Sequence, residues 1–377
     1  MQHNLFSEAE ILEGIVEWAG IESPTYEPER VAEMVGHVGG QLAALGARTE
    51  TLEVSDDFAP ALRARFPGAD PTAEGGILVL GHLDTVHPSG TKEGPLAIRV
   101  EEGRLYGPGV FDMKGGFYLA YYAMKTLLAA GLPPKLPVTF LCISEEEVGS
   151  PASRALIEAE AKKHRYVLVP EPARKGRAIT GRHAFARYTL VTRGRPAHAG
   201  ADNLVGRSAI RAMARLIDRL EAKTDMERLV SFAVGVVKGG QWVNVVPIEC
   251  RAEVLTVASS EENLAYVRQV MAGLTSPIPE VELEVIKGPE RPLFKPHPGT
   301  LALYERARGL AADIGFELEH GQFGGGSDGN FTGALEIPTL DGLGVCGAGA
   351  HTHGEHLEIA SLVPRARLLA GLLSDLD

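Results

Sequence analysis

The chain has 377 residues, 45% apolar and 23% charged, the mix of an ordinary globular protein rather than a disordered, collagen-like or disulfide-stapled one. Lys and Arg total 37 and Asp and Glu 49, giving a formal charge of −12, so a phosphate backbone is repelled and nucleic acid is excluded as the main partner. No apolar run reaches the roughly 18 residues of a membrane span, and Met1–Glu10 lacks the regions of a secretory signal. Three scattered cysteines (Cys142, Cys250, Cys346) form no framework, which suits the cytoplasm.

Ser7 with Glu10 reads as a capping box, opening a helix whose Ile11, Leu12, Ile15, Val16 and Trp18 recur at helical spacing. A second helix is predicted near 31–45, closed by Gly46. Gly75 and Gly76 lead into the apolar run 77–80, a buried strand. A helix over 114–130, a strand over 138–143, a helix over 151–163 and a strand over 166–169 follow. This alternation predicts an α/β domain with a mainly parallel central sheet. After Gly181 the pattern changes to period-two strands (185–192, 231–237, 244–257) and two helices (208–222, 261–274), an α+β domain with an open sheet. The α/β character returns with a helix over 300–314, a glycine-rich loop, a strand-like 338–343 and a last helix over 359–376. The expected organisation is one discontinuous domain, 1–180 and 289–377, interrupted by a second at 181–288.

In open parallel sheets, ligands bind beyond the carboxyl ends of the strands. The polar residues that follow each apolar run there are His82 and Asp84, Asp112, Glu145-Glu146-Glu147, Glu171, and the cluster His351, His353, Glu355, His356. Imidazoles and carboxylates are the ligands of hydrolytic zinc sites. In His82-Leu83-Asp84 the two polar side chains share one face, so Asp84 can fix the His82 tautomer. Taken alone, Asp112 is equally a helix N-cap, and the Gly115-Gly116 pair would let backbone approach an ion. In the triple glutamate one carboxylate can bind metal while its neighbour takes a proton. Gly107-Pro108-Gly109 and the Gly324–Asp328 turn lack the remaining features of nucleotide loops; the latter reads as a tight turn lining a pocket.

These residues, in this order, resemble the di-zinc metallopeptidase family of glutamate carboxypeptidase, acetylornithine deacetylase, succinyl-diaminopimelate desuccinylase and aminoacylase. The resemblance is carried by Gly81–Val86, Gly109–Gly116, Glu146–Ser150, Glu171-Pro172, Gly194–Gly200, Asn244–Pro247 and Gly325–Asp328, and covers essentially the whole chain. Its wording is nearest the glutamate carboxypeptidase branch. It implies two zinc ions, with cobalt or manganese as substitutes, held by His82, Asp112, Glu147, Glu171 and His351. Asp112 would bridge the ions, Asp84 orient His82, and Glu146 act as general base. Counting back from Gly149-Ser150 selects Glu146 and Glu147 over Glu145, and Glu355 selects His351 over His353. The inserted domain would be a lid and dimerisation domain. From it His198 would stabilise the oxyanion and Asn244 would contact substrate; Arg291 and Gly326, outside it, would contact substrate as well.

The implied activity is hydrolysis of an N-acyl amino acid or of the C-terminal peptide bond of a small peptide, a substrate with a free carboxylate. An N-deacylase of the acetylornithine type is the alternative, and a silent binding member a more distant one. One departure stands out: where the family usually carries Asp-x-Arg on a lid strand, the aligned stretch here is Leu255-Thr256-Val257. Carboxylate recognition by that Arg is therefore lost.

Overall fold

The computed structural model describes residues 5–377. It divides into two compact units: the described residues up to Gly181 with Phe294–Phe323 and Ser327–Asp377, and Arg182–Leu293 with Gly324–Gly326. The second unit extends beyond residue 288 because a strand that the sequence patterning left out, Glu282–Arg291, completes its sheet. That strand alternates charged and apolar residues around a Gly288-Pro289 interruption, which obscures its period.

The first unit is built on a six-stranded sheet. Its order is Arg48–Leu52, Ala61–Phe66, Val138–Ile143, Ile77–His82, Tyr166–Leu168, Thr339–Leu340. The two pairings at the Arg48–Leu52 edge are antiparallel and the other three parallel. The first two strands were not anticipated, since they carry arginines and threonines rather than an apolar run. The central strands are buried on both faces because consecutive side chains point opposite ways. Ile77 and Val79 join the larger core with Trp18, Phe117 and Leu369, while Leu78 and Leu80 join a smaller core with Ile157 and Phe331.

Helix ends follow local chemistry. Ser7 caps the helix Glu8–Gly20 by accepting the Glu10 N–H. The reciprocal half of the capping box does not form, because the Glu10 carboxylate accepts the Tyr122 hydroxyl at 2.9 Å instead. The helix Lys114–Ala129 is buried along nearly its whole length. Its first turn is admitted by glycine alone: a Cβ on Gly115 would lie 2.1 Å from the Val110 carbonyl oxygen, and one on Gly116 1.9 Å from that of Pro170. The Gly pair thus serves backbone-to-backbone packing, not the approach of an ion.

The second unit has a four-stranded antiparallel sheet, ordered Val230–Gly239, Glu249–Ala258, Ala184–Arg193, Glu282–Arg291. Met213, Leu216 and Leu220 of the helix Ala209–Glu221 and Leu264, Val267 and Met271 of the helix Glu261–Ala272 bury its apolar side. The segment 244–248, expected as strand, is loop up to Glu249. Among the described residues, no helix is long and apolar enough to cross a membrane.

Candidate metal centre

All five residues singled out as metal ligands lie in the first unit, at carboxyl ends of its strands or in loops beside them. His82 ends the strand Ile77–His82, and Asp84 follows it; both are buried. Nδ1 of His82 lies 2.9 Å from the Asp84 carbonyl oxygen and 3.3 Å from its Oδ1. Both are acceptors, so Nδ1 carries a proton. Nε2 then faces carboxylate oxygens of Asp112 at 3.3 Å, Glu171 at 3.8 Å and Glu146 at 4.0 Å. A lone pair set against three such oxygens requires something positive between them. Burial disfavours charge on His82, yet Asp112 and Asp84 outweigh it and raise its pKa well above 6.5. A divalent cation meets the same requirement with greater charge.

Asp112 stands between two imidazoles. Its Oδ1 faces His82, and its Oδ2 lies 3.2 Å from Nε2 of His351. It is not the helix cap: Met113 occupies that position. Burial pushes the Asp112 carboxyl up, but hydrogen bonds from His351 and His82 win and hold it well below the usual range. His351 also meets Glu147 Oε2 at 3.0 Å, and these two carboxylates raise its pKa. Burial, reinforced by Asp112, pushes the Glu147 carboxyl up despite its contact with His351. Ligand atoms of His82, Asp112 and Glu147 all lie within 4.8 Å of one another. This oxygen- and nitrogen-rich donor set, with carboxylates crowded close enough to resist joint ionisation, fits a divalent metal ion.

The three consecutive glutamates have three different surroundings, because they pass through one turn of 3₁₀ helix after the strand Val138–Ile143. Glu145 turns into the protein, where its carboxylate accepts the Ser153 N–H at 2.7 Å and hydroxyl at 2.9 Å. Burial raises its pKa to about 7. Glu146 reaches toward His82, and Glu147 toward His351. Asp84 sets that turn: Oδ1 accepts the Glu146 N–H at 3.2 Å, and Oδ2 accepts the Glu147 N–H at 3.3 Å and the Thr25 hydroxyl at 2.6 Å. Asp84 therefore holds three neighbours as well as facing His82. His353 is exposed, while His356 packs on Tyr106 at 5.1 Å and its Nδ1 hydrogen-bonds the Gly354 carbonyl.

His198, Asn244, Arg291 and Gly326 belong to the second unit. Nδ1 of His198 accepts the N–H groups of Gly200 and Ala201 at 3.2 and 3.0 Å. The proton of the neutral ring is thus on Nε2. The same loop pairs with the Asn244 segment, whose carbonyl accepts the Ala199 N–H at 2.9 Å. Arg291 is buried with its guanidinium 5.6 Å from the Phe185 ring centroid. Gly326 is packed against the same ring, where a Cβ would lie 1.9 Å from it. Two residues that the sequence reading passed over, Thr25 and His87, turn out to be buried beside the ligand-bearing segments. Neither sits in a motif or a run, so only long-range proximity reveals them.

Comparison with known proteins places this geometry in a family. Over 97% of its length the chain is 27% identical to carboxypeptidase G2 of Pseudomonas sp. (strain RS-16), covering 89% of that protein. It is 25% identical to acetylornithine deacetylase of Myxococcus xanthus over 63% of this chain and 64% of that one. An M20 family metallo-carboxypeptidase structure from Sulfolobus solfataricus superposes with a TM-score of 0.74 at 18% identity, covering 97% and 98% of the two chains. The sequence pattern of peptidase family M20/M25/M40 matches residues 78–375, from the strand that carries His82 to the last helix, and the chain belongs to that family of metal-dependent hydrolases acting on peptide or amide bonds.

Proposed function

We propose that the protein is a di-zinc hydrolase that releases an amino acid from a small N-acyl amino acid or from the carboxyl end of a small peptide. The observation that carries this reading is Asp112, whose two oxygens face two different imidazoles, His82 and His351. On one side His82 and Glu171, and on the other Glu147 and His351, would each complete a site that Asp112 bridges. Zinc, or cobalt or manganese in its place, would supply Lewis acidity at the scissile carbonyl and lower the pKa of water from 15.7 to about 7.

The chain's own residues do the rest. Glu146 is mostly buried, and its backbone is pinned by Asp84. It takes a proton from the attacking water on a carboxylate oxygen and delivers it to the nitrogen of the departing amine. His198 carries its ring proton on Nε2, the form that donates to a developing oxyanion. Asn244 and Arg291 would contact the substrate carboxylate, and Gly326 would line its pocket. The relative named carboxypeptidase G2 supports peptide cleavage. Leu255 and Val257, in place of the usual acid and arginine, together with the relative named acetylornithine deacetylase, favour N-deacylation as the second reading. We also propose a homodimer formed through the second unit, whose edge strand exposes Val236 and Val237, and a cytoplasmic location, in keeping with three free cysteines.

Amino-acid release is measured with N-acyl amino acids and dipeptides, with and without chelator. Turnover should be abolished by chelator and restored by zinc. Glu146→Gln should keep its metal and lose about 10²- to 10⁴-fold in kcat, the usual size of a general-base contribution. Glu147→Gln should lose metal as well. Chelator-resistant turnover, or a Glu146→Gln enzyme as fast as the parent, overturns the reading.

A further inference from the structure

The segment after His82 contains a second histidine with no part in the chemistry above. Nε2 of His87 lies 2.6 Å from Oε2 of Glu355, and both side chains are buried. A carboxylate oxygen only accepts, so the imidazole donates. The other oxygen, Oε1, accepts two backbone N–H groups, Phe111 at 3.0 Å and Asp112 at 3.1 Å. Both Glu355 oxygens are thus engaged, one by His87 and the other by the Phe111-Asp112 backbone, two different parts of the chain.

The placement of these partners gives the contact its meaning. His87 lies five residues beyond His82. Asp112, whose N–H is held, is the residue facing both imidazoles. Glu355 lies four residues beyond His351 and is tied to it by a compact loop. In that loop the Thr352 N–H donates to Gly349 and the Glu355 N–H to the Thr352 carbonyl, at 3.0 and 3.2 Å. Gly349 adopts φ 80°, and a Cβ there would lie 2.5 Å from the Gly354 carbonyl oxygen, so the loop has little room to rearrange. One carboxylate therefore fastens together the segments bearing His82, Asp112 and His351.

We propose that His87 and Glu355 are positioning residues that hold the Asp112 loop in its metal-binding geometry. The inference rests on the reading of Asp112 as a ligand. Neither residue touches metal or substrate. Without His87, Oε2 of Glu355 is a buried carboxylate oxygen lacking its donor, and the carboxylate turns from the two N–H groups to find another. Asp112 then loses its fixed backbone, and its two oxygens no longer meet both imidazoles.

The test measures zinc affinity of the full-length protein by competition with a chromogenic chelator. It compares the parent with His87→Leu, His87→Asn, His87→Gln and Asp112→Asn, with folding followed by circular dichroism. His87→Leu should bind zinc about 10- to 100-fold more weakly, the usual cost of losing a group that orients a ligand. His87→Gln, whose amide N–H reaches the same oxygen, should recover most of that loss. Should the leucine variant fail to fold, His87→Asn, polar but too short to reach Glu355, replaces it and should bind as weakly. A merely structural role would lower thermal stability and leave zinc affinity unchanged. Parent-like affinity in the leucine or asparagine variant, or a glutamine variant as weak as they are, overturns the proposal while a weakened Asp112→Asn leaves the ligand reading standing. Parent-like zinc binding by Asp112→Asn sinks the ligand reading, and the positioning role with it.

Discussion

Replacing Asp84 by asparagine is the sharpest test of how the centre is assembled. The Asp84 carboxylate is fully buried and surrounded by donors: the N–H groups of Glu146 and Glu147, the Thr25 hydroxyl and Nδ1–H of His82. An amide must turn its NH₂ to one side. At Oδ1 it would face both the Glu146 N–H and the His82 Nδ1–H. At Oδ2 the Thr25 hydroxyl can rotate to accept, and the Glu147 N–H loses the acceptor it has at Asp84. The second orientation is the cheaper, and the loss of an acceptor at a buried site costs about 1–3 kcal/mol. Asp84→Asn should therefore lower the unfolding free energy by about that amount in urea denaturation. Because the turn bearing Glu147 loses its support at Oδ2 while His82 keeps its acceptors, zinc affinity should also fall roughly 10- to 100-fold through Glu147. An asparagine variant within about 0.5 kcal/mol of the parent, the range of an ordinary surface change, and with unchanged zinc affinity would refute the reasoning.

His351→Ala should strip metal, while His353→Ala, at an exposed position, should leave metal content and turnover near those of the parent; metal analysis of both variants decides it. Gly116→Ala places a Cβ 1.9 Å from the Pro170 carbonyl oxygen, one residue before Glu171, and should cost at least the ~1–3 kcal/mol of ordinary overpacking, read as a lower urea midpoint. Glu160 is buried against Arg63 at 3.1 Å, Arg65 at 3.2 Å and Lys163 at 2.8 Å. Burial pushes its carboxyl up, but Lys163, Arg65 and Arg63 outweigh it and bring its pKa below 4.5. A depressed carboxylate contributes stability above its unfolded pKa and loses it as pH falls through the folded value. Glu160→Gln should thus be about 1–3 kcal/mol less stable at pH 7, with the gap closing below pH 4.5. A gap that persists at low pH argues against an electrostatic origin.

The fold class and the candidate polar positions beyond the strand ends were legible because both are written locally. Apolar runs such as Ile77–Leu80 and Val138–Ile143 announce buried strands, and in such sheets the residues just beyond them face the ligand crevice. The order of Glu145, Glu146 and Glu147 was local too, but which of them faces His82 or His351 follows from the turn that Asp84 holds. The strands Arg48–Leu52 and Ala61–Phe66 were not legible, since the first is an exposed edge strand of charged and polar residues and the second interrupts its buried apolar positions with Arg63 and Arg65. Nor was the strand Glu282–Arg291, broken by Gly288-Pro289, and with it went the true end of the second unit at Leu293.

What the sequence by itself determined is the inventory: which side chains could ligate, in what order, on which strand ends. What tertiary structure alone decided is how they are held. Asp84 meets Thr25 across 59 residues of chain, and Glu355 meets Asp112 across 243 and His87 across 268. Contacts over such separations leave no period, spacing or composition to read. They exist because the parallel sheet gathers its strand ends at one edge, where a buried carboxylate must find donors wherever in the chain they lie.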